Sequence, residues 1–321
     1  MSERLRAHRD DLRALISSTA DALSINPAFV EKDFWVTEVL RIASRPRKAG
    51  SDGEARFVFK GGTSLSRVHR LIERFSEDVD LLAVFPQDLG ASLRHRVFKD
   101  LDAEVSEHLN TSGSVGPSET GIKRYTTYAY DASFGDASIA QGVLLELGSR
   151  GGAMPAREHE FRSMVALHAQ NAYHDDATTW EEFAPFTVSV LAPERTLLEK
   201  LAAVHAAATA EDYAALAKSG RHFYDIARLL GAPEVTSALS TLGAEGVSRL
   251  VDDVNAHSAQ AGFRWAERPE GGFADSAAFR DHGEIHDAIL ASYEAALALV
   301  YGARPPFEEV ISSVHVNRDL L

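Results

Sequence analysis

FVFKGGTSLSRVHRLIERFSEDVDLLAVF, residues 57–85, decides how the rest of the chain is read. Phe57, Val58 and Phe59 form a short apolar run that stops at Gly61-Gly62, after which Leu65, Val68, Leu71 and Ile72 recur at helical spacing. The pattern predicts a buried strand, a glycine turn and an amphipathic helix. Such a turn presents backbone N–H groups at a helix N-terminus, whose partial positive charge binds phosphate, and glycine lets a ligand approach the main chain. Gly61, Gly62, Thr63 and Ser64 are therefore candidate ligand-binding residues. The next strand opens with Asp78-Val79-Asp80-Leu81-Leu82, and period two points both carboxylates the same way. Ser76 precedes Asp78 by two residues, so its hydroxyl is expected at the mouth of the same site.

Two carboxylates on one strand face repel each other unless a cation sits between them. Magnesium accepts one or two carboxylates together with triphosphate oxygens, so Asp78 and Asp80 read as a clamp for Mg2+ or Mn2+. An isolated Asp-x-Asp is more often a solvated loop, and a Gly-Gly pair an ordinary turn. Here both occur together, joined by a helix and flanked by strands, which is the layout of a nucleotidyltransferase site.

KGGTSLS (60–66) followed by RFSEDVDL (74–81) resembles the AbiEii family of nucleotidyltransferase toxins, which includes the MenT toxins. The resemblance continues upstream in Glu31-Lys32-Asp33-Phe34-Trp35-Val36, and downstream in VLAPERTLLEKLAAVH (190–205) and RHFYDIARLL (221–230). It implies a DNA-polymerase-β-like core, a divalent metal, a nucleoside triphosphate donor, an antitoxin partner encoded nearby and, as acceptor, the 3′ end of tRNA. It also aligns Lys200 with a family lysine that contacts the donor phosphates, and Asp225 with a late aspartate of the same charge cluster. Read from the residues alone, Lys200 lies off the apolar stripe of Leu197, Leu201 and Val204 and either snorkels or enters a cleft. Arg221, Asp225 and Arg228 share one helix face, where they could equally be ordinary ion pairs.

Composition bounds the class. The 321 residues are 45% hydrophobic and 25% charged, enough for a sizeable core in one large or two modest domains. No cysteine is present, which excludes disulfides, thiolate metal sites and cysteine nucleophiles. No apolar run reaches the length of a membrane span and the N-terminus is a charged amphipathic segment, so a cytoplasmic enzyme without a membrane partner is expected. The net charge of −14 argues against a nucleic-acid partner until its distribution is considered. Residues 41–74 hold nine Lys and Arg against three acids, whereas residues 231–321 hold six Arg against fourteen acids. A polyanion would dock on the first of these, with Arg45, Arg47 and Lys48 prominent; a plain solvated face is the alternative.

Two more strands are expected, Tyr125–Phe134 and Val143–Leu147. Glu146 lies within the second, between Leu145 and Leu147, and is either a third carboxylate that helps activate an attacking hydroxyl or an edge glutamate facing water. Phe186–Leu191 reads as the last core strand, and Pro193 suits the first turn of the following helix. His282 and His286 have helical spacing but not the pattern of a zinc site, and Gly151-Gly152 lacks a Walker pattern. The expected fold is α+β: a mixed-sheet nucleotidyltransferase core with N-terminal helices over residues 1–192, and a helical C-terminal domain over 193–321. The expected activity is transfer of NMP from an NTP to an acceptor hydroxyl. Nucleotidylation of a protein or small molecule, or non-catalytic nucleotide binding, are the alternatives.

Overall fold

Near the N-terminus apolar residues recur at helical spacing, and two helices form there in the computed structural model, which describes residues 2–51, 53–136, 139–175 and 177–321. α1 spans Arg9–Leu23 and α2 spans Pro27–Ala43. Asn26 caps α2 by accepting the Ala28 N–H at 2.9 Å, and Pro27 occupies the first position, where a missing N–H has no consequence. Then follow β1 (Arg47–Ala49), β2 (Gly53–Lys60), α3 (Gly61–Arg67), β3 (Val79–Val84), α4 (Ala91–Leu109), β4 (Gly113–Glu119), β5 (Lys123–Tyr128), β6 (Val143–Gly148), β7 (Ala156–Phe161), α5 (Met164–Tyr173) and β8 (Phe186–Leu191). The strands make one mixed sheet in the order β4-β5-β6-β3-β2-β8-β7, with β1 paired to β2 outside this path. β2 runs antiparallel to β3 and parallel to β8, while β3 runs parallel to β6.

The sheet belongs to a first unit formed by Met1–Thr63, Ser76–Ser149 and Ala156–Val190. Strand alternation sorts its faces. Val79, Leu81, Val143, Leu145 and Leu147 are buried on one face, and Asp80 and Glu146 take the other. On the apolar face α4 packs against β5. Its Asp102, 7% exposed, accepts from Thr126 Oγ1 at 2.9 Å, from the Tyr128 hydroxyl at 2.7 Å and from the Arg124 guanidinium, three alternate residues of β5. One buried carboxylate therefore fixes the register of a helix on a strand.

The second unit comprises Ser64–Phe75, Arg150–Pro155 and Leu191–Leu321. It contains α6 (Pro193–Thr209), α7 (Tyr213–Leu216), α8 (Gly220–Leu230), α9 (Pro233–Gln260), α10 (Glu284–Ala296) and α11 (Phe307–Val316). Leu197 and Leu201 of α6, Phe223 and Ile226 of α8, Val251 of α9 and Val310 of α11 share one apolar core. Leu71 and Ile72 join it, although not from a helix as their spacing predicts. α3 ends at Arg67 because Arg70 enters the left-handed region (φ 55), and the Leu71 N–H turns back to the Leu65 carbonyl at 3.0 Å.

Other boundaries also moved. The strand expected over Tyr125–Phe134 stops at Tyr128, since Tyr130 stacks on Trp35 and the Ser133 and Phe134 N–H groups bond Glu31 instead of a strand. β1, β4 and β7 carry little apolar signal: β4 is almost wholly exposed and contains Pro117, which suits an edge.

Asp102→Ala should lower the unfolding free energy by about 3 kcal/mol or more, because it strands three buried partners. Tyr128→Phe, which removes one hydrogen bond, should lower it by about 1 kcal/mol. Urea titrations of both variants check this, and equal losses would mean that the carboxylate is not the hub.

Candidate active site

Register, not sequence proximity, assembles the site of the first unit. Lys60 on β2 lies opposite Asp80 on β3, Asp80 opposite Glu146 on β6, and Glu146 opposite Tyr125 on β5, a row across four strands. Neighbouring strands stand about 4.8 Å apart, so carboxylates on one face of β3 and β6 feel each other directly. Burial, reinforced by the Asp80 and Asp78 charges, pushes the Glu146 carboxyl up to about 7. The Tyr125 hydroxyl is raised by burial and by Glu146 and Asp80. Lys60 opens the KGGTSLS motif but was given no role there, and Tyr125 was read only as the start of a strand; the register places both here.

Gly61 adopts φ +77, and a Cβ built there would fall 2.1 Å from Asp80 Oδ2. The glycine is thus required twice, for its backbone angle and for the carboxylate that occupies the space of a side chain. Thr63 is buried, and its hydroxyl lies 2.7 Å from the Asp78 carbonyl and 3.0 Å from the Ser76 hydroxyl. It ties the turn to the segment carrying the aspartates. Ser64, on the stretch assigned to the second unit, is fully buried, and its carbonyl accepts from Val68 and His69.

Glu31, Lys32 and Asp33 on α2 acquire a physical meaning that their sequence does not disclose. Glu31 accepts the N–H groups of Ser133 and Phe134 at 2.8 and 2.9 Å, and Asp33 accepts that of Met164 at 2.6 Å, at the start of α5. Lys32, 1% exposed, donates to the Ala140 and Gly142 carbonyls and pairs with Glu77 Oε2 at 3.1 Å. Glu77 in turn accepts the Ala140 N–H at 3.1 Å. The residue preceding Asp78 is therefore anchored through a buried lysine to the loop leading into β6.

Lys200 and Asp225 meet in the second unit. Asp225 is fully buried and holds Lys200 Nζ at 2.8 Å and the Arg74 guanidinium in a two-pronged pair at 2.7 Å. Although burial alone would raise it, these two cations hold the Asp225 carboxyl down at about 2. An ammonium has only protons to give, so at 3.3 Å Lys200 donates to His222 Nδ1 and the ring proton resides on Nε2. Burial, with Lys200 adding to it, lowers His222 to about 3. Arg221 and Arg228 do not pair with Asp225 along the helix; Arg228 faces Glu73 at 3.1 Å.

Of the basic residues in 41–74, Arg41, Arg47 and Arg74 are buried. Arg41 bonds Glu38 and the Glu182 and Ala184 carbonyls, and Arg47 bonds Glu104 and three carbonyls near the end of α2. Arg47 consequently does not belong to a docking surface, contrary to the charge count. Among the described residues no group of three His, Cys, Asp or Glu is spaced to hold a metal by itself, and His282 and His286 bond their neighbouring aspartates.

A mixed sheet with paired aspartates opening one strand, a third acid in register on the next and a glycine turn between adjacent strands defines the class, a nucleotidyltransferase. The model of the family described as nucleotidyl transferase AbiEii toxin, Type IV TA system, matches residues 48–312. The chain belongs to that family of toxin enzymes, which implies an NTP substrate and an antitoxin partner. No curated protein matches the chain. Among the described residues no helix is long and apolar enough to cross a membrane.

Gly61→Ala should abolish most transferase activity while the far-ultraviolet spectrum is kept, since a methyl there collides with Asp80; an active variant would mean that the turn tolerates a side chain. The second unit makes a pH prediction. With His222 lowered from 6.5 to about 3, the unfolded chain binds the extra proton first, so stability present above pH 6.5 is lost as pH falls toward 3. Asp225 adds a further loss below its ordinary 3.8. His222→Gln should flatten the melting temperature between pH 6.5 and 4.5 and leave the steeper fall below pH 4. An unaltered slope would reject the assignment.

Proposed function

We propose that the Asp78, Asp80 and Glu146 carboxylates carry transfer of NMP from an NTP to an acceptor hydroxyl at the 3′ end of tRNA, and that this transfer blocks translation, as in the MenT branch of the family. The observation that carries the reading is the Asp80–Glu146 register, with Glu146 pushed up to about 7 beside the Gly61 turn. This half-buried group of three acids, one of them raised toward neutrality, gathers negative charge in one place. Its hard oxygen donors fit Mg2+ or Mn2+, with the remaining positions supplied by triphosphate oxygens. Asp78 and Asp80 are the proposed metal ligands, and the metal, when bound, neutralises charge on the reacting phosphates.

The chain's own groups do the rest. The turn at Gly61 and Gly62 offers main chain to the donor phosphates. Thr63 and Ser76 brace this turn, since the Thr63 hydroxyl lies against the Asp78 carbonyl and the Ser76 hydroxyl, and Ser64 stays a candidate ligand-binding residue. The acceptor oxygen attacks the α-phosphorus, its bond to the bridging oxygen breaks, and pyrophosphate leaves. Glu146, with a proton affinity close to neutrality, is suited to take the hydroxyl proton once it is ionised. Lys200 keeps the donor-phosphate role that the family resemblance gives it, with Asp225 as the residue that positions it. Substrates of this kind place the enzyme in the cytoplasm.

Asp78→Asn and Asp80→Asn should each remove at least about two orders of magnitude of transfer and leave the fold intact. The assay incubates the protein with each labelled NTP, a tRNA mixture and cell protein, and asks which fraction carries label. Label on RNA that disappears in both variants is the expected result. Label on protein would overturn the tRNA acceptor, and either variant transferring at the wild-type rate would remove the pair from the chemistry.

A further inference from the structure

The segment after α3, the α8–α9 turn and the residues leading into α11 enclose a cavity of about 660 Å³ within the second unit. That volume accommodates a nucleotide. Three arginines line it, Arg70, Arg228 and Arg304. Arg70 is exposed and left-handed, and among the described residues no acceptor meets its guanidinium. Arg304 spends Nε and Nη2 on one carbonyl, that of Val300, at 3.2 and 2.8 Å. Arg228 gives Nη2 to Glu73, yet its Nε–H is closed off from water without any acceptor.

The geometry points to a binding site for a phosphate-bearing nucleotide unit, taken either from an RNA chain or from a free nucleotide. Guanidinium forks match phosphate oxygens in pairs, and the exposed Arg70 guanidinium has its donors available for one. Leu71, Pro233, Pro305 and Pro306 give the same cavity apolar walls against which a base or sugar rests. Glu234 and Glu309 also line it, but each sits in the first turn of a helix, α9 or α11, whose positive end offsets the carboxylate. None of these residues belongs to the carboxylate row, so the site is separate from the proposed transfer chemistry and can fail without it.

The test reads binding without turnover, in EDTA, by the fluorescence anisotropy of a labelled RNA hairpin with a single-stranded 3′ end and, separately, of labelled ATP. Arg70→Ala/Arg304→Ala alters two exposed side chains and should fold normally. RNA affinity is expected to fall about tenfold or more, with a salt dependence shallower by roughly two charges. Glu309→Gln should move affinity the other way. Loss of ATP binding with RNA binding retained keeps the phosphate site and identifies its source as free nucleotide; loss of both keeps the shared chemistry. If both ligands bind the double variant as they bind the wild type, the proposal is overturned, whatever the aspartate variants do to transfer.

Discussion

Repulsion between carboxylates in register on neighbouring parallel strands is the constraint around which the first unit is arranged. Asp80 and Glu146 cannot both be charged at low energy in a partly buried place, and Asp78 adds a third acid close by. Several neighbours hold the segments that carry them in place. Gly61 gives the Asp80 carboxylate room, Thr63 holds the Asp78 backbone, and Lys32 holds Glu77. The chain thus uses glycine, threonine and lysine to gather three acids into one place.

The second unit solves the opposite problem. Asp225 is fully buried and satisfied twice over, by Lys200 and by the two-pronged Arg74 pair. Removing one partner of such a group is usually far worse than never having had the pair, because the other charge stays buried alone. The cluster therefore ties Arg74, from the stretch between α3 and β3, to α6 and α8 irrespective of any catalytic part it takes. His222 sharpens the point: burial and the neighbouring ammonium keep the ring neutral, and in that form it accepts a hydrogen bond from Lys200.

Much of this was legible in the residues, for identifiable reasons. Phe186–Leu191 was readable to the residue and the start of the next helix to within one, because β-branched alternation and a proline in the first turn are local signals. The carboxylate pair was readable because strand period is fixed. Glu146 was found as a suspicious acid among leucines, but its place opposite Asp80 depends on strand order, which no local pattern encodes. The same holds for Lys60 and Tyr125. Residues 31–33 looked like a signature without content, since their partners lie some hundred residues further along the chain in loops that carry no periodicity. Edge strands β4 and β7 went unread because one face of each meets water and the hydrophobic alternation that marks a strand is missing.

Counting charge along the chain was the least faithful guide, and the reason is geometric. Residues 41–74 are strongly basic in sequence, yet Arg47 closes off carbonyls at the end of α2, Arg41 those of Glu182 and Ala184 ahead of β8, and Arg74 is consumed by Asp225. An arginine can neutralise backbone dipoles as readily as phosphates, and its flexible stem lets it turn inward wherever helix ends leave carbonyls unpaired. The acidic C-terminal stretch misleads in the opposite direction, because its Arg304 converges with Arg70 and Arg228 on one cavity despite fourteen acids in the same segment. What an anion meets is the set of guanidinium groups with donors left over, and that set is chosen by the fold after the backbone and the buried carboxylates have taken theirs.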